Sequence, residues 1–250
     1  MKIDNYRQYI YKSYNTISRS QLMRINENAY IQRIKFYKKR FKGILPIDKK
    51  SKILDIGCGE GFFLYYIKSI GYNNIIGVDI SSEQVAIAKK YLGDVNVLEI
   101  DFIDYLANTE DSFDFIILDN VLEHFRKEEV VNILKLIFNK LNKEGRLVIF
   151  VPNGGSPWGM PLTYIDFTHE TVFTPQSMIQ ILNTIGYKII LIRGEGMPYP
   201  LDYLGLIRSI FYYPIMLITV ILLKIMTGGG GRTKIIHIPD PLFMVVGEKI

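Results

Sequence analysis

Cysteine is almost missing from these 250 residues: a single one, Cys58, leaves no partner for an internal disulfide. The opening Met1-Lys2-Ile3-Asp4-Asn5-Tyr6 lacks the apolar core of a secretory leader. Both point to a reducing, cytoplasmic setting. Histidine is also scarce, at 124, 169 and 237 only, and no tight His/Asp/Glu spacing marks a dedicated metal site, so none is expected. No internal repeat is evident, which excludes a solenoid.

What the chain does have is a 48% hydrophobic composition, enough for one ordinary domain with decoration, and an uneven charge. The net charge is +5, but residues 1–42 hold eleven Lys and Arg against Asp4 and Glu27, so this segment carries +9 and the rest −4. Such an arm is either a solvated helical face or a contact for something anionic, such as a membrane surface, a phosphorylated substrate or nucleic acid. The arm, residues 1–45, reads as one or two helices.

From Pro46 the pattern alternates. Strands are predicted at Lys52–Ile56, Asn74–Val78, Val95–Ile100, Phe113–Leu118, Arg146–Val151, Lys188–Ile192 and Leu242–Val246. Helices fall near Phe62–Ser69, from Ser81 through Ala88, at Lys127–Leu141 and at Pro175–Ile185. Alternating strands and helices imply a doubly wound α/β sheet with ligands at the carboxyl ends of the strands. The core therefore spans 46–193, with its last strand at 240–250. An insertion, 194–239, separates the two. It holds an apolar run, Ile210 to Leu223, interrupted by Pro214 and short for a bilayer crossing, which needs about 20 residues. With Arg208 and Lys224 flanking it, residues 208–227 read as an interfacial helix on an anionic membrane, or as a helix packed on the domain or in a homodimer.

The turn after the first strand reads Asp55-Ile56-Gly57-Cys58-Gly59-Glu60-Gly61, and Phe62 stands where a dinucleotide fingerprint needs its third glycine. This argues against a nicotinamide-dependent oxidoreductase. Glycines let backbone approach a ligand, and Asp55 suits a cation better than a pyrophosphate. Asp79, about twenty residues on, is placed to bind ribose hydroxyls. Asp101 either meets an adenine or caps the following helix. Cys58, with no basic neighbour in sequence, reads as an inert filler.

Leu54 to Gly61, Gly77-Val78-Asp79-Ile80 and Phe113-Asp114 through Glu123-His124 resemble, in order and spacing, three motifs of the class I S-adenosylmethionine-dependent methyltransferases. The likeness covers Lys50 to Val151 and, more loosely, extends to Tyr187. It implies a Rossmann-like seven-stranded sheet, mostly parallel with the last strand antiparallel, and S-adenosylmethionine as cofactor. It assigns Asp55, Gly57, Gly59, Gly61, Asp79, Ile80, Asp101, Phe102 and Asn120 to that cofactor. Val151-Pro152-Asn153-Gly154 and Tyr164 to Glu170 are similar to the subgroup of polysaccharide-biosynthesis and quinone O-methyltransferases.

That subgroup implies O-methylation of a glycan or lipid-linked glycan, or else of a quinone or small phenol. Moving a methyl group to a hydroxyl calls for a base, and His169 or His124, with Asp166 as orienting carboxylate, is the candidate; both imidazoles could instead be structural. Nucleic acid is disfavoured as partner, because Asp119-Asn120 is followed by Val121-Leu122 and not by the Pro-Pro-aromatic sequence of base methylation. A non-catalytic cofactor-binding protein is the reading from a different class.

Overall fold

The structure is a computed structural model that describes residue 10 and residues 26–196, 203–227 and 236–250. Most of residues 1–25 of the basic arm, and parts of the insertion, lie outside the described residues.

Helix α1 (Glu27–Arg40) starts at Asn26, whose side chain accepts from the Ala29 N–H at 3.1 Å. Tyr30, Tyr37, Phe41 and Ile44 recur on one face and are all buried. The Tyr30 ring lies 4.5 Å from Phe62 and 4.8 Å from Tyr91, and its hydroxyl donates to the Glu60 carbonyl at 2.7 Å. The helix predicted within the arm of residues 1–45 is present here. From Glu27 onward the segment is part of the core, because its aromatic stripe buries against the sheet.

The body alternates as its hydrophobic pattern predicts: β1 (Ile53–Ile56), α2 (Phe62–Ser69), β2 (Ile75–Asp79), α3 (Ser82–Leu92), β3 (Asn96–Glu99), α4 (Phe102–Asn108), β4 (Phe113–Asp119), α5 (Lys127–Lys140), β5 (Leu141–Pro152), α6 (Met160–Tyr164), α7 (Pro175–Ile185), β6 (Tyr187–Gly194), α8 (Tyr203–Thr227) and β7 (Leu242–Lys249). The sheet runs β3-β2-β1-β4-β5-β7-β6. Strands β1 to β5 pair in parallel, and β7 runs antiparallel to β5 and β6. Both faces are covered. Leu54, Ile56, Val78, Ile116 and Leu118 fill one, and Ile53, Ile75, Phe115, Ile117 and Phe150 fill the other with α1. This is why these strands read as continuous apolar runs.

Two elements differ from their predicted form. Strand β5 begins at Leu141 rather than Arg146, since Leu141 already pairs with Phe113. In α8, Pro214 sits inside a 25-residue helix without ending it. The window Ile210–Thr227 is long and apolar enough to cross a membrane, whereas the run read from sequence stops at Leu223. A proline removes one donor and crowds one carbonyl, and the neighbouring turns carry the helix through.

Candidate functional site

Strand order places β1 between β2 and β4, so the connections leaving β1 and β4 go to opposite sides and open a crevice at their carboxyl ends. A cavity of about 660 Å³ lies there, within the range of cofactor sites. Asp55, Gly57, Gly59, Asp79, Ile80, Asp101, Phe102 and Asn120 line it, as do His124, Asp166 and His169.

The floor is the glycine turn. The Gly57 and Cys58 N–H groups both donate to the Val78 carbonyl, at 2.8 and 3.1 Å, and the Gly59 N–H donates to Asp79 Oδ2 at 2.8 Å. Ser81 N–H donates to Asp79 Oδ1 at 2.8 Å, so both carboxylate oxygens are held in place before any ligand arrives. Gly57 and Gly59 have φ of 68° and 53°, and a Cβ on Gly57 would stand 2.5 Å from the Val121 side chain. Gly61 behaves differently from its neighbours. It does not line the cavity; it caps α2 at φ 77°, where a Cβ would meet Leu92 at 2.5 Å. Its small size serves helix packing, not the ligand.

Asp101 is the N-cap of α4, its carboxylate accepting from the Ile103 N–H at 2.8 Å, while the same residue faces the cavity. Asn120 follows β4 with φ 56°, a left-handed conformation uncommon outside glycine, and so turns the chain into the site. Cys58 is buried, and burial beside Asp55 and Asp79 pushes its thiol well up, away from the reactive thiolate.

Electrostatically the cavity is acidic. Burial first, then Asp119 and Asp79, raise the Asp55 carboxyl well above its usual range, and burial raises Asp79. One buried cation answers them. Arg40 reaches in from α1, its Nη2 donating to Asp119 Oδ1 at 2.9 Å and its Nη1 to Oδ2, with Nε against Glu195; its guanidinium lies 3.5 Å from the centre of the Phe150 ring. Burial lifts Glu195 to about 7 despite Arg40. Neither Arg40 nor Glu195 is legible as a site residue within a run of lysines and arginines or at a strand end. The one signal is spacing: Tyr30, Tyr37 and Phe41 define a buried face, and Arg40 sits on it.

The opposite wall carries Glu123, His124, Asp166 and His169. Glu123 is 2% exposed, both its oxygens lack a hydrogen-bond partner among the described residues, and burial pushes its carboxyl up to about 8. His124 Nδ1 lies 2.7 Å from Thr168 Oγ1, which in turn donates to Asp166 Oδ1 at 2.7 Å. Asp166 thus supports His124 through Thr168. The His169 ring is oriented by a different group, the Thr163 carbonyl, 2.9 Å from Nδ1. That contact makes Nδ1 the protonated nitrogen of neutral His169 and leaves Nε2 with the lone pair. Burial and then His169 pull His124 down to about 4, so it is neutral near pH 7. Glu123, His124 and His169 each bring one donor atom within 4.8 Å of the others, a spacing that no local sequence pattern marks. His169 is distant from the other two in sequence, which hides the cluster from spacing.

The methyltransferase-domain family matches residues 28–192. The chain belongs to that family. Ribosomal protein L11 methyltransferase of Lactobacillus gasseri is 31% identical over 40% of this chain and 31% of its own length. The tRNA U34 carboxymethyltransferase of Sulfurimonas denitrificans is 28% identical over 40% of this chain and 34% of its own. The chain spans about a third of the length of these curated relatives. Among solved structures, an S-adenosylmethionine-dependent methyltransferase from Archaeoglobus fulgidus superposes with a TM-score of 0.64 at 23% identity, over 98% of this chain and 100% of that one. Magnesium protoporphyrin IX methyltransferase from Synechocystis, with S-adenosylhomocysteine bound, gives 0.60 at 15% identity over 98% and 99%. The Rossmann-like methyltransferase fold is therefore shared over nearly the whole chain, and S-adenosylmethionine is the cofactor of this methyltransferase domain. The residues fit it: the positions where a Cβ would fill the turn are glycines, the cavity is lined with carboxylates suited to an ammonium and a sulfonium, and the buried Glu123 oxygens have no hydrogen-bond partner among the described residues.

Proposed function

We propose that this methyltransferase acts on a hydroxyl of a glycan or lipid-linked glycan, in cell-surface polysaccharide synthesis, with His169 as general base. When bound, S-adenosylmethionine supplies an electrophilic methyl on a positively charged sulfur. Asp79, held by the Gly59 and Ser81 N–H groups, offers lone pairs to ribose hydroxyls. Asp55 offers a carboxylate to the ammonium, while the Arg40 guanidinium is taken up by Asp119 and Glu195.

The observation that carries the hydroxyl reading is His169, whose ring is fixed by the Thr163 carbonyl with Nε2 as its lone-pair nitrogen. Nε2 would take up the proton that the acceptor hydroxyl loses when the cofactor's methyl group is transferred to its oxygen. His124, held at a low pKa, is the weaker base and serves to shape the wall. A wall built of Glu123, His124, Asp166 and His169 suits an acceptor rich in hydroxyls, where a flat phenol or quinone calls for an apolar slot.

The test is a panel of glycan and phenolic acceptors with wild type and His169→Ala at saturating cofactor. Transfer to glycans that falls about 100-fold or more in His169→Ala supports the proposal. Transfer to phenols alone, or a loss under about tenfold, overturns it.

A further inference from the structure

Helix α8 turns an apolar surface to solvent. Ile210, Phe211, Tyr213, Leu217, Ile218 and Leu222 are each more than half exposed. Residues 210–227 have a mean hydropathy of 2.0, and only 6% of them are buried. Single exposed apolar side chains are ordinary, but an unbroken face along five turns of helix marks a surface that something covers.

The inner face says how the helix is held. Tyr212 donates its hydroxyl to Asp240, and the Trp158 indole N–H donates to Thr219 Oγ1 at 3.0 Å. These two ties are seven residues apart, about 10 Å along the axis, and they lay the helix along the flank of the domain. A helix fastened in this way does not cross a bilayer, since crossing would draw the polar domain in with it. It is placed to lie at an interface, outer face inward.

Trp158 also begins the loop that forms the rim of the cavity. Tyr164, Ile165 and Phe167 of that loop are 73%, 76% and 84% exposed, and Ile165 lines the cavity itself. Exposed apolar side chains thus stand on α8, at Trp158 and at the mouth. Between Asp202 and Asp240 the sequence has no acidic residue, against Arg208, Lys224, Arg232 and Lys234. An apolar face on a stretch of sequence with this excess of cations is complementary to anionic headgroups.

We propose that the outer face of α8 and the rim from Trp158 to Phe167 dock on an anionic bilayer, with the cavity mouth toward the lipid, and that the acceptor reaches the site on a lipid anchor. The acceptor clause rests on the function proposed above; the docking does not. Flotation of the full chain with vesicles of phosphatidylglycerol and phosphatidylcholine, and with phosphatidylcholine alone, tests it against the variant Phe211→Ser/Ile218→Asp/Leu222→Asp. Wild type is expected to float with the anionic vesicles, and the variant about tenfold less, with unchanged affinity for S-adenosylmethionine as proof of an intact fold. A second variant, Ile165→Ser/Phe167→Ser, is expected to weaken flotation about threefold if the mouth faces the lipid. No flotation of wild type, or equal flotation of wild type and the α8 variant, overturns the docking. So does a lipid-free wild-type dimer that the variant turns into a monomer, which assigns the face to a second copy. Flotation without transfer to any lipid-linked hydroxyl overturns the acceptor clause alone.

Discussion

Arg40 of α1 and Asp119 at the end of β4 meet edge to edge, two guanidinium nitrogens against two carboxylate oxygens, 79 positions apart in the chain. The pair joins the N-terminal helix to the floor of the cavity. Because Glu195 leans on the same guanidinium, removing the arginine strands two carboxylates at once.

Arg40→Ala is therefore expected to lower stability by about 3–5 kcal/mol, the usual cost of leaving a buried charge unpaired. Urea unfolding measures it. A loss below about 1 kcal/mol would show that water reaches these carboxylates.

Glu123 makes stability depend on pH. Its carboxyl titrates near 4.5 when unfolded and at about 8 in the fold, so the fold holds its proton more tightly. The associated stability is complete below pH 4.5 and is lost as pH rises through 8. Glu123→Gln should match wild type at pH 4.5 and exceed it by a few kcal/mol at pH 8.5, on the order of the shift. Parallel pH profiles for the two proteins would refute this.

The three glycines of the turn should separate into two kinds. Gly59→Ala meets only the end of the Gln84 side chain, which swings aside, and its left-handed φ costs about 1–2 kcal/mol, so the fold survives while affinity for S-adenosylmethionine falls, by about tenfold or more. Gly61→Ala meets Leu92 and Ala88 instead, and is expected to lose about 1–3 kcal/mol of stability. Calorimetry of binding and thermal melting distinguish them; equal effects of both variants on both readings would contradict the division.

Thr168→Val removes the hydroxyl between His124 and Asp166. If that hydroxyl only fastens the wall, the maximal rate with wild-type affinity for cofactor drops about tenfold and Thr168→Ser restores it. No restoration by serine would assign the effect to packing of the methyl group.

The parts that read well from sequence are those governed by local patterns. Helix α7 spans the predicted Pro175–Ile185, capped by Thr174, started by Pro175 and ended by the left-handed Gly186. The β1 turn and Asp79 are legible because tight backbone approach and a ribose partner demand particular residues at fixed spacing. Arg40, Glu123 and Glu195 are not, since what makes them special is burial among distant chain segments. Pro214 misleads for a related reason: its local penalty is real, but the surrounding apolar turns outweigh it.

Gly194 and Phe243 are register partners at the rim of the sheet, and the Glu195 N–H bonds the Leu242 carbonyl at 3.1 Å. The chain thus leaves the sheet and rejoins it at one spot, with α8 strung between. Strand pairing already closes that loop, and doubling a loop's length adds only about 0.6 kcal/mol. The excursion is therefore a cassette: between the ends held by Glu195 and Ile238, its length is free to vary at little cost to the sheet.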